Sequence, residues 1–257
     1  MNRFEILGSK VSETNFKDTV TFFKNYNYSN TGYVCLSDFS VIVAAEKDHE
    51  LQKILNQSLL TLPDGKPIEF FARLKGYKKV TTVSGYWLIK ELFQTPLKHY
   101  FYGCNPECLE RIVSRLQKEH SDSKIFGYKA PPLLSKKNIK GNKDLKNDVE
   151  IFNNLQPDII WIGISSPKQD YLMHELQPML NHGLMIGVGG VFDYLAGTKK
   201  ISPEWVKKIG FRWFYRFIQE PRRLYKRYLI TSFGIIKLVF ILIKSGINRI
   251  IHGNIKP

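Results

Sequence analysis

The tripeptide Pro63-Asp64-Gly65 holds a carboxylate between the residue that most restricts a backbone and the one that most relaxes it. By composition it is a turn, and a structural turn is its ordinary role. Held rigidly at a strand end, the same carboxylate would be available as a general base. Ser84-Gly85, Gly103 and Gly187-Val188-Gly189-Gly190 each follow an apolar run. Glycines at the carboxyl ends of parallel strands let a backbone approach a ligand, often a phosphate, though most such glycines only turn the chain and none here completes a GxGxxG. Ser166-Pro167-Lys168-Gln169 opens a helix after a buried strand. Ser166 suits the N-cap and Pro167 the first helical position, which puts Gln169 in the first turn, near the ligand edge of a sheet; an ordinary cap fits equally well.

Other chemistries find little support. No Asp-x-Asp pair is present to hold a nucleotide-bound metal, and Asp18 and Asp38 stand alone in the chain. A diphosphate leaving such a site would have to be met by protein cations. Cys104 and Cys108 have three residues between them and no second ligand pair follows, so a zinc site is not expected and the role of small buried hydrophobes is. The odd total of three cysteines argues against a disulfide framework and for a reducing compartment.

Alternating apolar runs and helical stretches must position these groups. Short strands are expected at Leu60–Leu62, His99–Gly103, Lys124–Tyr128, Ile159–Gly163 and Leu184–Val188, those at His99–Gly103 and Ile159–Gly163 buried, and helices at Asp48–Leu59, Tyr86–Phe93, from Asn105 to Glu119, Gly141–Leu155 and Lys168–Leu180. Asn105-Pro106-Glu107 carries the marks of a helix start: a capping side chain, proline in the first turn and an acid at the positive dipole end. Ala130–Lys143 reads as a loop or crossover. Strand–helix–strand repetition implies parallel pairing with helices on the sheet faces, an α/β fold.

The charge is uneven. Of 38 Lys/Arg and 23 Asp/Glu in 257 residues, fourteen cations but only Glu204 and Glu220 lie from Lys199 onward, so that segment carries +12 of the net +15. A near-neutral body with a basic tail implies an anionic partner: nucleic acid, lipid headgroups or a phosphorylated substrate. A boundary is expected near Gly197–Pro203, dividing the chain into 1–198 and 199–257. Beyond it Phe211, Phe214, Tyr215 and Ile218 recur on one helical face and Lys208, Arg212 and Arg216 on another, until Gln219-Glu220-Pro221 interrupts. A regular aromatic stripe more often means packing than nucleic-acid stacking. The adjoining apolar run Leu229–Ile243 is short for a span and has Lys237 in its middle; with its flanking lysines it favours an interfacial segment lying on a membrane. The first ten residues have no apolar stretch of the signal-peptide kind.

Several segments in order resemble the WecG/TagA/CpsF glycosyltransferase family: Leu62-Pro-Asp-Gly65 with Arg73-Leu-Lys-Gly76, Phe101-Tyr-Gly103 with Asn105-Pro-Glu107, Trp161-Ile-Gly163 with Pro167-Lys-Gln169, Gly187-Val-Gly189 with Phe192-Asp193 and Ala196-Gly197, and Gln219-Glu-Pro-Arg-Arg223 with Lys226-Arg-Tyr228. The match runs from about Val34 to Thr231. The resemblance implies a Rossmann-like parallel sheet with helices on both faces, plus a basic, aromatic helical C-terminal appendage that binds the membrane and completes the active site. It implies inverting, metal-independent transfer from a UDP-sugar, often UDP-N-acetylmannosamine, to a sugar on a polyprenyl diphosphate, at the inner face of the bacterial cell membrane, with no cofactor and no nucleic acid; homo-oligomerisation is left open. By position Asp64 matches the family's base, and Gly85, Gly103, Gln169, Gly187, Gly189 and Asp193 the donor site. Arg212, Arg216, Arg222 and Arg223 fall where cations meet the diphosphate. The chain departs from the pattern at Thr82, where an Arg or other polar residue precedes Val83-Ser84-Gly85, and at Tyr86-Trp87, where the family has Pro-Asp. The small polar residue of the first strand maps to Leu36 or Ser37. The rival class is a non-catalytic, membrane-associated subunit of a polysaccharide assembly complex.

With no Asp-x-Asp pair, transfer is expected to persist in EDTA. Loss on chelation, restored by Mg²⁺ or Mn²⁺, would reveal a ligand set that the sequence does not display.

Overall fold

A computed structural model describes residues 1–120, 124–203, 206, 212–222, 224–225, 229, 231–232, 234 and 236. Strand β7, Ile159–Gly163, explains the architecture best: Ile159, Ile160, Trp161 and Ile162 are all fully buried. A continuous apolar run of this kind is buried on both faces, as in a parallel sheet covered by helices. It lies in a six-stranded, all-parallel sheet of order β4-β3-β8-β7-β5-β6, with β3 Gly32–Asp38, β4 Leu60–Asp64, β5 Lys98–Gly103, β6 Lys124–Lys129 and β8 Leu184–Gly187. The outer strand β6 alternates exposed and half-buried residues, as an edge with less cover should.

Helices cover both faces. On one, α1 (Phe16–Lys24) packs on α5 (Gly85–Leu92), and α10 (Val191–Leu195) on α5 and α6 (Pro106–Glu119). Their apolar residues meet Val34, Leu36, Phe101 and Trp161 in one cluster. On the other, α2 (Phe39–Lys47) packs on α3 (His49–Gln57), and α3 and α8 (Lys143–Leu155) on α9 (Lys168–Leu176). Helix starts follow the residues that make them: Asn15, Asp38, Asp48, Asn105 and Asn142 each accept a backbone N–H in the first turn, each cap worth about 1 kcal/mol. An N-terminal hairpin, β1 Arg3–Ile6 with β2 Ser9–Ser12, has no counterpart in the sequence reading. The Arg3 guanidinium ties it to the body through the carbonyls of Asn56 (3.1 Å) and Leu59 (2.9 Å).

Some boundaries differ from expectation. Pro63 and Asp64 end strand β4 rather than forming a turn; β4 is an edge strand, where a proline's missing donor is tolerated, and Gly65 alone turns the chain at φ +106°. Helix α9 stops at Leu176, and Gln177–Met179 tightens into a 3₁₀ turn around Pro178. Within Ala130–Lys143 a one-turn helix, α7 (Lys136–Ile139), forms under a Ser135/Asn138 capping box.

The chain divides into two compact units, Met1–Ile201 and Ser202–Pro257. The second contains the helix Arg212–Gln219, on which Phe214 and Ile218 are exposed and Tyr215 is half-buried. Lys208, Phe211, Arg223 and most of Leu229–Ile243 lie outside the described residues. Among the described residues no helix is long and apolar enough to cross a membrane.

The ends of β5 and β7 touch through glycines. A Cβ at Gly163 would enter the Phe192 ring, and one at Gly103 would stand 2.6 Å from the Gly163 carbonyl. Gly163→Ala is expected to cost about 1–3 kcal/mol through overpacking, seen in urea as a lower midpoint at unchanged slope. An unchanged midpoint would show that Phe192 is free to move aside.

Candidate active site at the carboxyl edge of the sheet

Because all six strands run the same way, their carboxyl ends form one edge, and the loops beyond it are where an α/β sheet binds ligands. Asp64 closes β4 there. Its register partner on β3 is Asp38, the last residue of that strand. Asp38 is far from Asp64 in sequence, yet the register places two carboxylate-bearing residues side by side. Asp38 also caps α2, accepting from the Val41 N–H and the Ser40 hydroxyl.

The segment 82–85 is drawn to the same edge. The Val83 N–H donates to the Pro63 carbonyl at 2.8 Å. Thr82 donates from both its backbone N–H and its hydroxyl to Glu69 Oε2 at 3.0 Å. Glu69 is buried and ion-paired to Lys66 and Arg73. Burial opposes its charge, but hydrogen bonds from Thr82 and Lys66 outweigh this and hold its carboxyl below the usual range. Thr82 is therefore an anchoring residue for the loop that leads into α5. Gly85 packs: a Cβ there would lie 2.9 Å from Leu36 Cδ2 and 3.1 Å from Val191 Cγ2. Leu36 thus belongs to the apolar packing, while Ser37 is fully buried with no protein partner for its Oγ. Trp87, where the family pattern has an acid, is 43% exposed, with the Tyr86 ring edge-on to it.

Gln169 sits near the middle of the edge, beside the end of β8. A Cβ at Gly187 would come within 2.8 Å of Gln169 Nε2, and one at Gly189 within 3.5 Å of Oε1, so these glycines make room for the amide. Gln169 is almost fully buried; its Nε2 donates to Ser166 Oγ at 2.8 Å, and its Oε1 has no protein partner. Ser166 is consequently not the N-cap expected from sequence. Pro167 takes that position without a side-chain bond. Next to Gln169, Asp170 is fully buried. Desolvation pushes its carboxyl up to about 7, Asp38 adds to the rise, and Cys35 and Ser166 pull the other way. Sequence reasoning passed over Asp170, which has no signal beyond its place in the first turn of α9.

Asp193, in α10, pairs with Lys199, and its carbonyl accepts from Thr198. It lines a cavity of about 430 Å³ with Cys104, Asn105, Glu107, Cys108, Arg111 and Thr198. The cavity opens at the start of α6; Pro106 carries no N–H there and the Cys108 N–H is taken by Asn105 Oδ1, so it is the helix dipole that favours an anion. Cys104 is only half-buried, so it lines this cavity and is not the buried hydrophobe expected. Gly103 (φ +142°) and Cys104 (φ +39°) have left-handed backbone at the turn into it. Arg111 and the cysteines went unrecognised as lining residues because only the turn from β5 into α6 aims them there. Arg212, Arg216 and Arg222 belong to the second unit, the first two one turn apart on its helix and Arg222 exposed just beyond. Among the described residues no three His, Cys, Asp or Glu side chains are grouped to hold a metal ion.

A six-stranded parallel sheet covered by helices, with a strand-end carboxylate and a glycine-flanked amide at its carboxyl edge, is a Rossmann-like α/β unit. The chain belongs to the glycosyl transferase WecG/TagA/CpsF family, which it matches over residues 4–249. It is 28% identical over 198 residues to the N-acetylglucosaminyldiphosphoundecaprenol N-acetyl-beta-D-mannosaminyltransferase of Bacillus subtilis (strain 168), covering 74% of this chain and 72% of that protein. To the protein of the same name from Bacillus spizizenii (strain ATCC 23059 / NRRL B-14472 / W23) it is 22% identical over 183 residues, 70% of this chain and 68% of that one.

Asp170 makes a testable statement about stability. A carboxyl whose value is raised by folding keeps its proton in the native state after the unfolded chain has lost it. The stability tied to that proton is present below about pH 4, declines as pH rises toward about 7, and is lost above. Asp170→Asn should remove this decline, so the variant gains on the parent by roughly 1–3 kcal/mol between pH 4.5 and 7.5 in urea titrations. Parallel pH profiles would show that Asp170 is not a buried, titrating acid.

Proposed function

We propose that the protein is an inverting, metal-independent glycosyltransferase that moves N-acetylmannosamine or a related sugar from a UDP donor to a polyprenyl-diphosphate-linked sugar. The observation that carries this reading is Asp64 at the carboxyl end of β4, in a chain whose relatives are named N-acetylglucosaminyldiphosphoundecaprenol N-acetyl-beta-D-mannosaminyltransferases. Asp64 takes the proton of an acceptor hydroxyl as that oxygen attacks the anomeric carbon. The bond from that carbon to the diphosphate oxygen breaks with inversion, and UDP leaves with the electron pair. Gln169, held between Gly187 and Gly189 with an acceptor atom to spare, supports a donor-recognition role; Gly85, Gly103 and Asp193 complete the donor side. Binding both substrates together supplies the orientation.

Residues 1–198 form the catalytic core in this reading, and 199–257 the appendage. Arg212, Arg216, Arg222 and Arg223 offset the charge that develops on the leaving diphosphate. The segment's excess of cations and the exposed Phe214 and Ile218 support peripheral binding to an anionic membrane at its cytoplasmic face.

The decisive experiment offers a panel of nucleotide sugars with a short-chain lipid-diphosphate N-acetylglucosamine acceptor and reads released nucleoside diphosphate. UDP-N-acetylmannosamine or a close relative should turn over. Silence across the panel, in folded protein, would favour the non-catalytic assembly subunit. Asp64→Asn should lower turnover by about 10²-fold or more without altering the fold. Near-parental turnover would remove Asp64 from the role of base.

A further inference from the structure

Helix α4 (Lys66–Leu74) is the first element after Asp64 and has two dissimilar faces. Ile68, Glu69, Phe71 and Ala72 face the interior and hold it to the body. On the other side Phe70 is 63% and Leu74 55% exposed, one turn apart on the same face. Lys66 continues this stripe at its start and Arg73 lies beside it; both side chains are more than half exposed. Lys75, Lys78 and Lys79 follow, all exposed. From Lys66 to Lys79 there are five cations and one acid, Glu69, which is buried.

An apolar pair that the interior does not need, ringed by long cations, is the composition of a helix that lies in a bilayer interface. Its apolar side chains enter the acyl boundary while lysines and arginines reach the headgroups. We infer that α4 and the turn after it form a second membrane-facing surface, on the catalytic unit itself, for an anionic bilayer. Charge complementarity selects this occupant: a protein partner would need an acidic rim around an apolar centre, whereas an anionic headgroup plane supplies one everywhere. The position has a consequence for catalysis that rests on the function proposed above. An acceptor on a polyprenyl diphosphate keeps its lipid in the bilayer, so its sugar reaches only groups close to the headgroup plane. Helix α4 starts two residues after Asp64, and Phe70 lies about 6 Å along the helix from Lys66. Docked on this face, the body would bring the end of β4 to that plane.

The test uses the full chain, because the basic tail can bind vesicles by itself and pelleting alone would not read α4. Phe70→Trp is mixed with phosphatidylglycerol/phosphatidylcholine vesicles with or without brominated acyl chains. The indole emission that this variant adds to that of the parent should be quenched by the brominated lipid, and less so as phosphatidylglycerol is removed. The double variant Phe70→Glu/Leu74→Glu should bind the vesicles at least about tenfold more weakly, since two apolar side chains leave the interface, while its turnover with a water-soluble short-chain acceptor stays at the parental level. Added emission untouched by brominated lipid, in Phe70→Trp protein that is vesicle-bound, overturns the inference. So does a double variant that binds vesicles normally but changes its sedimentation coefficient, which would make this face a contact between copies of the chain. If the added emission is quenched while no lipid-linked acceptor is glycosylated by any variant, the membrane surface stands and the proposed reaction falls.

Discussion

The hydrogen-bonded register of six parallel strands decides which residues of this protein can meet. Each strand delivers its last residue to one edge, and each loop beyond must turn there before its helix descends a face. That constraint explains the density of glycine at the edge. Gly103 and Gly163 let β5 and β7 end in contact, Gly187 and Gly189 open space for the Gln169 amide, and Gly85 lets α5 begin against Leu36. It also places Asp38 beside Asp64, which no spacing along the chain suggests. A shift of β4 by one residue would send Asp64 to the opposite face and lose both the candidate base and its neighbour.

Beneath this edge the protein buries polar groups at a cost. Ser37 and Gln169 each keep an acceptor without a protein partner, and unsatisfied buried polar atoms are destabilising. Asp170, fully desolvated, holds its proton to about neutral pH, although Cys35 and Ser166 pull the other way. A core of this size tolerates such a cluster because the apolar cluster on the other face of the sheet is extensive and buried. The cluster lies beside the candidate site, and functional sites are where stability is generally conceded.

Electrostatics divide the labour differently. The body is close to neutral, yet its cations are not scattered: Lys66–Lys79 gathers five of them around an exposed apolar pair, next to Asp64. The tail gathers fourteen more. Two basic segments suit the proposed reaction, whose acceptor is anchored in a lipid and whose leaving group is doubly phosphorylated.

Much of the fold was legible in the chain. Buried runs such as Ile159–Gly163 and Leu184–Val188 have the composition of interior strands, and Asn105-Pro106-Glu107 marks a helix start by local chemistry alone, so the α/β class and many elements followed from residues near one another, while strand β3 and helices α1, α2, α4 and α10 were not read. The candidate base and the candidate donor-site glutamine came from the order of short motifs. What the chain could not display were relations across it. Pro63-Asp64-Gly65 has the composition of a turn, and only pairing with β3 extends β4 to Asp64. Ser166 suits a cap until the Gln169 amide, pressed in by Gly187, takes its hydroxyl. The hairpin at the N-terminus is held by Arg3 reaching carbonyls more than fifty residues away. The exposure of Phe70 and Leu74 depends on which side of α4 the interior claims. Local propensity, capping and apolar periodicity act over a turn or a strand and are written in sequence. Register, burial and desolvation arise when distant segments exclude water together, and only the tertiary structure decides them.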